Sequence, residues 1–172
     1  MYDRYERLRY EAALIALEEE SKGVKEVGAQ NRGPEIDKYK ALAHSPQSAN
    51  HNWCGFFVFY CYAKAADKLS APLPFRSGIL WSGTKLKKWA EENPEHVVGS
   101  GPFTPGDIYV MTWGHIGMII SHPGGDMVNT VDGNQSSMGK GKSLKQNVRN
   151  INDMAVIIRI AYSGDLGNPA KY

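Results

Sequence analysis

The chain has few cysteines, little net charge and no long apolar run, and each shortage excludes something. Cys54 and Cys61 are the only cysteines among 172 residues, too few for a disulfide framework. If both lie on one helix, seven positions separate them by about 10 Å of rise. That is more than a disulfide tolerates between Cα atoms. No CxxC, HxxxH or HExxH spacing occurs, so no metal and no cofactor is expected. Twenty basic residues face 18 acidic ones, a net charge of +2, and no basic run is interleaved with aromatics. A nucleic-acid partner is therefore not expected. A pI near 8.5 mildly favours an anionic surface such as a bacterial wall. No stretch approaches the ~20 apolar residues of a membrane span. The charged start, Met1 to Arg9, lacks the apolar core of a signal peptide. The expectation is a monomer made in the cytoplasm without a leader, reaching any outside target by a dedicated route.

What is present is one domain's worth of ordinary globular sequence, 42% hydrophobic and 22% charged. Residues 2 to about 20 carry Tyr5, Leu8, Ala12, Ile15 and Glu19 at helical spacing. Residues 1–21 therefore form an amphipathic helix, packed on the main body or offered to a partner. Pro34 suits a first helical turn and starts a short helix over 35–42. A longer helix is predicted over 53–69, and another over 84–92, capped by Ser82 and stopped by Asn93-Pro94. Strands are predicted over 107–112, 115–121, 127–131 and 154–160, with a turn at 122–126. The Gly-, Ser- and Lys-rich stretch 136–142 reads as flexible and residues 163–172 as a loose tail, around a body of 22–162. Helices first and short strands later give an α+β domain with an antiparallel sheet.

The stretch from Asn50 to Cys61 is the most informative. It begins polar and turns apolar just after Cys54, and polar residues at 48, 50 and 52 are available to cap a helix. A thiol in the first helical turn meets unpaired N–H groups and the positive end of the macrodipole, which favour the thiolate. The competing reading is a buried structural cysteine. A nucleophilic cysteine needs a base. His44 and His51 precede Cys54 in a loop, His96 lies in a polar loop and His122 in a turn, whereas His115 opens an apolar strand directly after Gly114. Asp132 and Asn134, after the next strand, are both candidates to fix its tautomer, although Asp132-Gly133 is also a hairpin-turn signal.

Three pieces together resemble the CHAP-type cysteine amidases and endopeptidases, relatives of the NlpC/P60 peptidoglycan hydrolases. Trp53-Cys54-Gly55-Phe56-Phe57-Val58 resembles the nucleophile motif Trp-Cys-Ala-x-Phe-Val. Gly106-Asp107-Ile108 with Gly114-His115-Ile116-Gly117 resembles the family's Gly-Asp-Ile and Gly-His-Val-Gly strands. Asp132-Gly133-Asn134-Gln135 resembles its Glu-Gly-Asn or Gly-Gly-Asn-Gln segment. Residues 31–39 resemble a stretch that often precedes the nucleophile in one branch. The likeness covers about residues 22–160.

The resemblance implies a papain-like fold and hydrolysis of an amide in peptidoglycan, by an N-acetylmuramoyl-L-alanine amidase or a stem-peptide endopeptidase. Cys54 would be the nucleophile and His115 the base, with Asn134, or else Asp132, orienting the imidazole. The Cys54 N–H and, by a weaker analogy, Tyr39 would bind the oxyanion; Trp53 would stand beside the nucleophile. Gly55 stands where the family has Ala, a change expected to be neutral. His51 lies outside the family pattern and would line the cleft or tune the thiolate. With no wall-binding repeat recognised, a phage-type lysin or an injected antibacterial effector with a cognate immunity protein is expected. The alternatives are a non-catalytic wall- or tail-binding module, and a cysteine hydrolase of another acyl substrate.

Overall fold

A computed structural model describes residues 4–45, 50–73, 76–136 and 142–161. The expected flexible stretch 136–142 falls mostly, and the expected tail 163–172 wholly, outside them. Four helices precede five strands: α1 (Arg4–Ser21), α2 (Pro34–Leu42), α3 (Cys54–Leu69), α4 (Gly83–Glu92), β1 (Ile108–Met111), β2 (Ile116–Gly124), β3 (Met127–Ser136), β4 (Lys142–Asn150) and β5 (Met154–Ile158). The strands form one antiparallel sheet in the order β4-β3-β2-β1-β5. The protein is thus an α+β fold.

Strand alternation divides the interior into two layers. Ile108 and Val110 of β1, Ile116 and Met118 of β2 and Val131 of β3 face α3, whose run Phe56 to Tyr62 is buried throughout. The other face carries Tyr109, Met111, Ile119 and Val128, closed by Phe103 and Ile157. α1 packs on α3 through Leu8, Ala12 and Ala16, all fully buried. Pro34 takes the first turn of α2, and the Ser82 hydroxyl accepts the Lys85 N–H at the start of α4.

The second half departs from expectation in four places. β3 does not turn at Asp132-Gly133 but continues to Ser136, with a register irregularity between Asp132 and Gln135 and Asn134 in the left-handed region at φ 60°. A β-bulge absorbs the turn-forming residues. β4 escapes the hydrophobic pattern because it is a polar edge strand; its ladder with β3 joins Met127 to Asn150 and Ser136 to Lys142. β2 runs on through His122, so the turn falls at Gly125-Asp126. His96 is fully buried against Trp89, ring centroids 5.2 Å apart, and does not lie in an open loop.

Candidate functional site

Cys54 is the first residue of α3, and Trp53 occupies the cap position without a side-chain hydrogen bond. Expected capping by residues 50 and 52 is not observed, and residue 48 lies outside the described residues. The first N–H groups of the helix therefore have no intrahelical partner. The backbone N–H groups of Gly55 and Ile116 favour negative charge on the Cys54 sulfur. Gly55 permits the close approach of the Leu80 carbonyl to the start of α3. A Cβ there would overlap the Leu80 carbonyl and stand 3.0 Å from Ile116 Cδ1, so glycine at this position is not a neutral replacement for alanine.

His115 is delivered by the β1–β2 turn. Gly114 sits at φ 92°, its N–H donates to the Met111 carbonyl (2.8 Å), and the Met111 N–H donates to the His115 carbonyl (2.8 Å). The ring reaches Cys54 on one side and Asp132 on the other. His115 Nε2 is 3.6 Å from Asp132 Oδ1 and 3.1 Å from Gln135 Nε2. That leaves Nδ1 as the ring atom available to Cys54, whose thiol the imidazole lowers.

Asp132 is fully buried and heavily partnered. The Tyr109 hydroxyl donates to Oδ1, and Oδ2 accepts from Thr130 Oγ1 (3.0 Å), Asn147 Nδ2 (2.6 Å), and Arg149 Nε and Nη2 (3.1 and 2.9 Å). The carboxylate lies over Gly117, where a Cβ would overlap it; the second glycine of Gly114-His115-Ile116-Gly117 makes room for it.

These contacts set the charges. Burial opposes ionisation of Cys54, but the His115 hydrogen bond, the imidazolium charge and the two N–H groups outweigh it and hold the thiol below its ordinary range. Burial also disfavours charge on His115, yet Asp132 and Cys54 push it up to about 9. Asp132 stays below the usual carboxylate range despite burial, held there by His115, Tyr109 and Arg149. Together these shifts favour a thiolate–imidazolium pair backed by a carboxylate. By contrast, burial pushes the Cys61 thiol well up.

A cleft of about 610 Å³ opens above this pair. Cys54 lies at its floor, 8% exposed, and His51, Trp81, Trp113 and Lys142 are among its walls. His51 is exposed beside Phe56 and Trp81, ring centroids 6.3 and 6.1 Å away.

The structure brings together Cys54, His115 and Asp132. Asn134 lines the cleft without bonding His115; its Oδ1 is buried without a partner. Asp132, not Asn134, takes the position against the ring. Tyr39 and Trp53 are not cleft residues. The Tyr39 hydroxyl donates to Glu19 Oε2 (2.6 Å) in the core, which removes it as an oxyanion donor. Trp53 is fully buried, packs on Gly133 and donates to Glu26 Oε1 (3.3 Å). Sequence reasoning missed Tyr109, Gln135, Asn147 and Arg149. Asn147 and Arg149 stand two apart on one face of β4, a signal visible only once that segment is read as a strand.

Among the described residues no cluster of three or more His, Cys, Asp or Glu side chains is arranged to hold a metal ion, and no helix is long and apolar enough to cross a membrane. No family model, curated protein or solved structure matches the chain.

Proposed function

We propose that the protein is a cysteine hydrolase of a peptidoglycan amide with a papain-like arrangement of α3 against the sheet. The observation that carries this reading is the Cys54–His115–Asp132 line at the floor of an open cleft, with the sulfur at a helix N-terminus. The Cys54 thiolate attacks the scissile carbonyl carbon, forming a C–S bond. The oxyanion is met by the unpaired Cys54 N–H at the helix start. His115 gives its Nδ1 proton to the leaving nitrogen as the C–N bond breaks. Water then passes a proton back to Nδ1 while its oxygen attacks the thioester, and the C–S bond breaks to release a carboxylic acid. Asp132 keeps the imidazole in register and stabilises its charge.

The motif resemblance and a pI near 8.5, which suits an anionic wall, support peptidoglycan as the substrate. In this reading the enzyme works on the wall of a target or host cell as a lysin or an injected effector, the latter with an immunity protein. The test is digestion of purified Gram-negative peptidoglycan with wild type and with Cys54→Ala, read by mass spectrometry. Stem peptides with a free N-terminal L-Ala identify an amidase, and shortened stems or resolved crosslinks an endopeptidase. No product from the wild type under reducing conditions rejects the substrate.

A further inference from the structure

The charges around the cleft do not cancel. The thiolate and imidazolium offset one another, and the Arg149 guanidinium is committed to Asp132 and to Gln135 Oε1 (2.7 Å). None of the described lining residues is an acid. Lys142 remains, and among the described residues no carboxylate lies within ion-pair distance of its ammonium.

Lys142 is held in place by its backbone. Its N–H donates to Glu26 Oε2 (3.1 Å), and its carbonyl accepts the Glu26 N–H (2.8 Å). Two residues along each segment, the Leu144 N–H donates to the Val24 carbonyl (3.0 Å). Glu26 is the acid nearest in the bonding pattern. Its carboxylate is engaged by the Lys142 N–H, the Asn31 N–H (2.8 Å) and the Trp53 indole (3.3 Å). A half-buried lysine on a fixed strand, in a concave wall with no acid among its described lining residues, attracts anions. Lys85, 5.3 Å from the centroid of the Trp81 ring on the same cleft, adds to the field.

We infer that Lys142 forms a carboxylate-binding subsite, so that the preferred substrate carries a free peptide carboxylate near the amide that is cut. The inference deepens the proposed function and rests on it for the identity of the peptide. The anion site itself is tested without that substrate. The rates at which iodoacetate and iodoacetamide alkylate Cys54 are compared at low ionic strength; their ratio cancels any change in the thiolate. Lys142→Gln is expected to lower the iodoacetate-to-iodoacetamide ratio about fivefold, Lys142→Arg to restore it, and added salt to reduce the wild-type ratio. A ratio unchanged in Lys142→Gln overturns the subsite, as does a salt-independent wild-type ratio. With peptides bearing the carboxylate free or amidated, Lys142→Gln is expected to raise KM for the free form alone; an equal rise for both also overturns it. A lowered ratio without any peptidoglycan hydrolysis keeps the anion site and rejects the proposed substrate.

Discussion

His115 Nε2 lies 3.6 Å from Asp132 Oδ1, and the other carboxylate oxygen is held by Thr130, Asn147 and Arg149. One oxygen of Asp132 anchors the carboxylate to the sheet and the other faces the imidazole. Asp132→Asn is expected to reduce kcat by about 10²- to 10⁴-fold and to lower the pH at which His115 loses its proton. A variant with wild-type kcat would remove Asp132 from the mechanism.

The same pair gives stability a pH dependence. His115 is raised above its ordinary value to about 9, so its contribution is complete below about pH 6.5 and is lost as pH rises through the folded value. The gap in denaturant midpoint between wild type and Asp132→Asn should be widest near pH 6 and narrow above about pH 9, with a remainder at every pH from the lost Arg149 pairing. A gap that widens with pH would contradict the charge assignment.

Gln135 is held so that its amide opposes that charge. Arg149 Nη2 only donates, so the atom it meets at 2.7 Å is Oε1, and the NH₂ group faces both the Gly133 carbonyl (3.4 Å) and His115 Nε2 (3.1 Å). Gln135→Glu replaces that donor with an acceptor. The pH at which iodoacetamide begins to alkylate Cys54 should fall by about one unit, because a stabilised imidazolium stabilises the thiolate. A shift upward would mean that Gln135 supports the charged ring.

The two thiols should differ sharply. Cys61 is fully buried two turns deeper in α3, with its thiol pushed well up. Iodoacetamide should add one group per native chain, on Cys54 by peptide mapping. Cys61→Ala should retain activity at a cost of roughly 1 kcal/mol. Labelling of Cys61 first would reverse the assignment.

Gly55→Ala places a methyl against the Leu80 carbonyl. Overpacking there should cost about 1–3 kcal/mol and displace the sulfur, lowering both the denaturant midpoint and the alkylation rate. Wild-type values for both would show that alanine is accommodated.

Much of this arrangement was legible in the sequence because it follows local rules. The short helix after Pro34 and the cap at Ser82 each need only neighbouring residues, whereas the helix at Cys54 was marked by its polar-to-apolar switch and not by the expected caps. His115 stood out as a polar residue opening an apolar strand. The choice between Asp132 and Asn134 was not legible, because the register irregularity between Asp132 and Gln135 depends on pairing with β4, and β4 has too little apolar alternation to announce itself. The buried hydroxyl of Tyr39 was hidden for a similar reason: its partner, Glu19, lies on another helix.

The central claim about the site is that Cys54 rests as a thiolate held by His115, and the ultraviolet absorbance of the thiolate measures it directly. The wild-type minus Cys54→Ala difference, followed against pH, should have its midpoint below the ordinary thiol value, and His115→Gln should move that midpoint upward. A wild-type midpoint at or above the ordinary thiol value, unmoved by His115→Gln, would contradict the account.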